Sequence, residues 1–188
     1  VGPRPVAESV LPPAADLGPS WAVAPAVASP TPSPFASAGA GVYCGGWPAA
    51  LRAETPATRR QYLLNGGAGG RAGVTVWSLR SAGEAAAVVA EFRRLAGSCT
   101  RWTFHGSDGP LPVTNEVVPV PPAGDRAACQ RMSLTENGYV GWFGSCEAAT
   151  GAYVVTTESS LASAGPVGPV AATILTAAVR GLADAGYR

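Results

Sequence analysis

Two stretches of the chain carry a helical repeat of apolar positions. Val88, Val89, Phe92, Leu95 and Ala96 recur at i, i+1, i+4, i+7 and i+8, while Glu91, Arg93 and Arg94 fall largely off that stripe. Ser81 with Glu84 three residues on reads as a capping box, and Gly97 as a stop, so the spacing predicts a helix over 81–96. The second repeat predicts a helix over 167–185. Val167, Val170, Ala171, Ile174, Ala178 and Leu182 share one face, Pro169 lies in the first turn and Gly186 closes it. Elsewhere the pattern is strand-like. Residues 73–80 alternate as a half-buried strand, and 58–64, 101–105, 113–120, 129–135, 138–146 and 153–158 are further strand candidates. Asn65-Gly66-Gly67, residues 105–110 and Glu136-Asn137-Gly138 supply turns, and Pro121-Pro122 stops a strand. Residues 10–21 read as a short helix, 47–53 as one helical turn, and the Pro/Ser/Ala-rich 24–40 as a long, mobile loop. A run of strands with few helices predicts an α+β domain, an antiparallel sheet with both helices on one face.

Length bounds this picture. A chain of 188 residues fits one domain, with 1–40 (the short helix and the mobile segment) belonging to the same unit as 41–188. At 47% apolar and 13% charged residues it can bury a self-sufficient core. All thirteen basic residues are arginine, which points to a GC-rich genome and removes any Schiff-base or P-loop lysine. The net charge of +1 supplies no global field for nucleic acid. No stretch approaches the roughly 20 apolar residues of a membrane helix. The start VGPRPVAES has no basic and apolar leader pattern, so a mature or trimmed ectodomain is expected.

Cys44, Cys99, Cys129 and Cys146 form an even set without a Cys-x-x-Cys pair, and His105 is the single histidine. Neither a zinc site nor a thioredoxin-like site fits, so no metal and no cofactor is expected, and two disulfides in an oxidising compartment are. Cys129 and Cys146 lie on neighbouring strand candidates joined by a turn, which pairs them and leaves Cys44 for Cys99.

Catalytic patterns are weak. His105 lies beside Ser107 and Asp108, too close in sequence to build a triad unaided, and no Gly-x-Ser-x-Gly elbow exists. Twelve carboxylates leave a glycosidase pair open. The glycine run 66–73 precedes a strand instead of following one, which reads as a hairpin loop and not a phosphate loop. Trp47, Trp77, Trp102 and Trp142 sit in or near regular elements, and Arg101 and Arg131 accompany two of them. Either these tryptophans are core, or Arg101, Trp102, Arg131 and Trp142 line a ligand cleft.

Residues 129–146, CQRMSLTENGYVGWFGSC, resemble the second cysteine region of the PknH-type extracellular sensor domain, found on actinobacterial kinases and in related lipoproteins. Cys44-Gly45, the capped EAAAVVAEFRRLAGSC helix ending at Cys99 and the alanine-rich C-terminal helix extend the resemblance over roughly 40–185. One departure is a tryptophan placed after Cys99, at Trp102, with Arg94-Leu95 where that family often has one before the cysteine. The resemblance implies an α+β fold with a twisted antiparallel β-sheet, two main helices packed on it, two disulfides and a cleft. It further implies a non-catalytic, extracytoplasmic sensor of an actinobacterial envelope protein. The cleft would hold an unidentified small molecule or envelope fragment, and a membrane or kinase region would belong to the same full-length protein. The alternatives are an interaction or structural lipoprotein module of the cell envelope, and then a secreted hydrolase.

Overall fold

The period-2 segments all become strands of one sheet. A computed structural model describes residues 5–25, 51, 57–106, 109–120, 122–136, 139–161 and 167–187. Among them the strands are β1 (Trp21–Val23), β2 (Thr58–Leu64), β3 (Gly70–Ser78), β4 (Arg101–Gly106), β5 (Gly109–Val118), β6 (Arg126–Glu136), β7 (Tyr139–Thr150) and β8 (Tyr153–Leu161). The helices are α1 (Ala82–Ser98) and α2 (Val167–Asp184). The sheet order is β1-β2-β3-β8-β7-β6-β5-β4, and every neighbouring pair is antiparallel. The chain leaves the sheet after β3, crosses one face as α1 and re-enters at the far edge as β4. It then winds back through β5, β6 and β7 until β8 pairs with β3. The expected α+β class and antiparallel sheet are therefore present.

The expectation that both helices share a face is wrong. α1 packs Ala85, Val88, Val89 and Phe92 onto Ala128, Ala149 and Val154. α2 packs Ala171, Ile174, Leu175, Ala178 and Leu182 onto Val74, Val76, Cys146, Ala148 and Val155. Ala148 and Ala149, like Val154 and Val155, are consecutive, so their side chains point to opposite faces. The two helices cover opposite sides of the sheet. The central strands are consequently buried on both faces: Gly144–Thr150 is buried throughout, as is Tyr153–Thr157. Uninterrupted pairs such as Val154-Val155 are the signature of such a strand. The small residues of β7 let both helices approach it. Each fully buried Ile or Leu of α2 contributes about 1.5–3 kcal/mol by leaving water.

Local chemistry explains the helix ends. The Ser81 hydroxyl accepts from the Glu84 backbone N–H at 3.2 Å, as the capping box requires. The Glu84 carboxylate turns back to accept from Arg80, including its backbone N–H at 3.0 Å. Those hydrogen bonds hold its pKa below the ordinary carboxylate value.

The short helix expected over 10–21 does not form. Two separate 3-10 turns, Glu8–Val10 and Ala14–Leu17, flank Leu11-Pro12-Pro13, and Trp21 already begins β1. Pro12 and Pro13 lack backbone N–H groups and force the residues before them to be extended, so an α-helix cannot pass through. The segment is instead clamped to β2. The Arg60 guanidinium donates to the carbonyls of Glu8, Leu11 and Pro12 and to Glu8 Oε1. The Tyr62 hydroxyl donates to Pro12 O at 2.7 Å. Burial pushes the Tyr62 phenol up to about 12, against the opposing pull of Arg60. The glycine run 66–73 is only partly a loop, because Gly70–Gly73 belongs to β3. Gly70 has φ 134°, and a Cβ there would collide with Ser160 O across the sheet.

One disulfide is present among the described residues. Cys129 and Cys146 are directly opposed in the β6–β7 register, with Cα atoms 4.1 Å apart, and their bridge packs under α2. The expected second bridge, Cys44 with Cys99, involves Cys44, which lies outside the described residues. So do the loop of 26–40, nearly all of 47–53 including Trp47, the turn at Asn137-Gly138, and Ser107 and Asp108.

Candidate functional site

On the α2 side of the sheet a groove runs between the outer flank of α2 and the β5–β6 strands. Its walls are Val118 and Pro119 at the end of β5, Arg131 on β6, Asp16 from the N-terminal segment, and the outer flank of α2. That flank carries Gly168, Pro169, Ala172, Thr173, Thr176, Ala177 and Arg180. The groove encloses ≈ 770 Å³ and is mostly apolar, and the described residues that line it include two threonines, two arginines and one aspartate as polar groups. A volume of that size suits a small molecule. Thr176 Oγ1 donates to Ala172 O within the helix at 2.9 Å.

Arg131 is the best-positioned polar group of the groove. It forms an ion pair with Glu116 on β5, and its guanidinium stands 5.5 Å from the centre of the Trp142 ring on β7. The register explains the trio: Glu116 is opposite Arg131, and Arg131 is opposite Gly144, two residues from Trp142 on the same face. With Gly144 lacking a side chain, the guanidinium can lie across the strand toward the indole. Stacking and ion pairing together fix the plane of the guanidinium before any ligand arrives.

The four residues proposed from sequence do not converge. Arg131 and Trp142 meet on the α2 face. Arg101 pairs with Thr114 and also lies on the α2 face, but on the edge strand β4, two strands away from Arg131. Trp102 pairs with Val113, on the α1 face, so the sheet separates it from the other three. Trp77 is a core-facing tryptophan that donates from Nε1 to Thr156 Oγ1 at 3.0 Å.

The α1 face hides a different polar feature. Glu147 is 1% exposed on β7, flanked by Ala128 of β6 and Thr156 of β8. Among the described residues neither of its carboxylate oxygens has a hydrogen-bond partner, and neither has Gln130 Nε2 nearby on β6. Burial, reinforced by Glu91 on α1, raises its pKa well above the ordinary value. The covering helix seals this carboxyl from ligands, and no cluster of three or more metal-ligating side chains occurs among the described residues.

Comparison with known proteins places this architecture. No protein-family model matches the chain, and no curated protein does. Among solved structures, the crystal structure of the extracellular domain of PknH from Mycobacterium tuberculosis aligns over 95% of this chain and all of its own, with a TM-score of 0.59 and 15% identity. The fold is PknH-like. At that identity the likeness speaks for the fold, and not for a sequence family or a ligand. No helix among the described residues is long and apolar enough to cross a membrane.

The α2 flank of the groove was missed in the sequence. Thr173, Thr176 and Arg180 recur at i, i+3 and i+7 on the side of α2 away from its apolar stripe. A polar row on an otherwise apolar helix is the signal that was available.

Proposed function

We propose that this domain is a non-catalytic sensor or binding module that works outside the cell and holds a small molecule or envelope fragment in the groove between α2 and the β5–β6 strands. The observation that carries the reading is Arg131, preoriented by Glu116 and Trp142 at the wall of an otherwise largely apolar groove. The combination favours an amphipathic ligand, with an apolar body along α2 and an anionic or strongly polar end at Arg131. The PknH-like fold supports a sensor-like role, and a disulfide between neighbouring strands supports an oxidising compartment. The arginine-only, alanine-rich composition supports an actinobacterial envelope protein, and attachment to a membrane or kinase region of a longer chain belongs to the same proposal.

Thermal-shift screening against cell-wall fragments tests it. A ligand that raises the melting temperature of the native domain should lose that effect in Arg131→Ala and in Thr173→Trp, which fills the groove from an exposed position of α2. Unchanged shifts in both variants would remove the groove from the account. Turnover of esterase, peptidase or glycosidase substrates would overturn the non-catalytic reading.

A further inference from the structure

A second concavity lies on the other side of the sheet, between α1 and the start of β6. It encloses ≈ 600 Å³. Val89 and Ala127 contribute its apolar part, and the remaining lining includes Arg93, Arg94 and Arg126. Among the described residues no acidic one lines it. In a chain with thirteen basic and twelve acidic residues, three arginines around one hollow without a carboxylate is a local concentration of charge. Three other arginines each stand against a carboxylate: Arg60 pairs with Glu8, Arg80 with Glu84 and Arg131 with Glu116. Arg93, Arg94 and Arg126 are exposed, and none of them makes an ion pair or hydrogen bond with any described residue.

The shape also suits a ligand. Gly97 sits one turn beyond Arg93 and Arg94, inside α1, and a Cβ built there meets nothing within 4 Å. Glycine weakens a helix interior, and neither backbone conformation nor a neighbouring atom demands it here. Its effect is to leave the hollow open beside the guanidinium groups. Planar guanidinium forks on two elements can surround one tetrahedral anion and share its oxygens between them.

We infer that the hollow between α1 and β6 binds a phosphate-bearing group, held by Arg93 and Arg94 from the helix and Arg126 from the strand. Two sources share this chemistry: a free phosphorylated small molecule and a phospholipid headgroup. The site lies across the sheet from the α2 groove and stands independently of it.

Calorimetric titration of the full chain with inorganic pyrophosphate and with glycerol 3-phosphate reads the soluble source. Flotation with phosphatidylcholine vesicles, with and without phosphatidylinositol phosphate, reads the membrane source. At least one arm should show saturable binding that weakens with salt. Arg126→Ala and the double variant R93A/R94A should each weaken it roughly tenfold or more, the loss of a charge-assisted contact. Gly97→Leu should abolish it by filling the hollow while improving the helix, so its melting temperature stays at or above that of the native chain. Arg71→Ala, an exposed arginine on β3, should leave it unchanged. Binding confined to the vesicles assigns a headgroup, and binding to the soluble probes alone assigns a free phosphate. Absence of saturable binding in both arms would overturn the site. So would binding that survives Gly97→Leu, or that Arg71→Ala reduces as much as Arg126→Ala.

Discussion

Glu147 makes the domain's stability depend on pH in an unusual direction. Its carboxyl is buried between the sheet and α1, with no hydrogen-bond partner on either oxygen among the described residues and the charge of Glu91 on α1 acting on it. Gln130 and Ala128 face it from β6, and Ser145 and Thr156 flank it on the same sheet face. Folding therefore retains a proton that the unfolded chain, with a value near 4.5, releases. Between that value and the higher folded-state value the native state binds more protons than the unfolded state. Stability from this group is thus fully present below about pH 4.5 and declines as pH rises. The slope approaches 1.4 kcal/mol per pH unit until the folded-state value is passed. Glu147→Gln removes the ionisation and keeps the shape. Its amide should leave stability near pH 4 within about 1 kcal/mol of native, since the native side chain is then neutral as well. At pH 7 the variant should be the more stable protein, with a gap that widens steadily from pH 5. Urea unfolding of both proteins at closely spaced pH values measures it. A gap that does not change with pH, or a variant that is less stable at pH 7, would refute a neutral, unpartnered carboxyl under α1.

Other substitutions test the packing. Gly181 of α2 lies so close to the N-terminal segment that a Cβ there would collide with Val10 O. Gly181→Ala should therefore push that segment off the helix and cost about 1–3 kcal/mol despite better helix propensity, read by chemical denaturation. Arg60→Ala should release the same segment from β2, visible as faster amide exchange and proteolysis around residues 5–20 with little change in the sheet. Replacing both Cys129 and Cys146 by alanine opens a loop of sequence separation 17 and should cost about 3 kcal/mol. A peptide map of the unreduced protein should show Cys44 linked to Cys99, and a Cys44–Cys129 peptide would break the pairing.

Local signals in the sequence carried much of this architecture. The Ser81–Glu84 cap and the 3.6-residue stripe identify α1 within two residues of its ends, and the apposed strands around residues 137–138 bring Cys129 opposite Cys146. Non-local features were harder to read. The burial of β7 on both faces depends on Gly144, Ser145, Ala148 and Ala149, which are too small to register as an apolar run. The failure of a helix at 10–21 came from two consecutive prolines whose breaking effect outweighed the Gly18 stop. The groove was invisible because α2 meets Val118 and Arg131 only after the chain has folded back over most of its length. Trp102 fell out of the site for a one-residue reason: its position on β4 points it to the opposite face from Arg131.

The groove itself is most directly tested by amide chemical-shift mapping of the isotope-labelled domain titrated with each cell-wall fragment that stabilises it. Dose-dependent shifts should cluster at Val118, Arg131, Thr173, Thr176 and Arg180, together with a shift of the Trp142 indole N–H. Shifts confined to other surfaces, or spread evenly over the sheet, would contradict a ligand site between α2 and the β5–β6 strands.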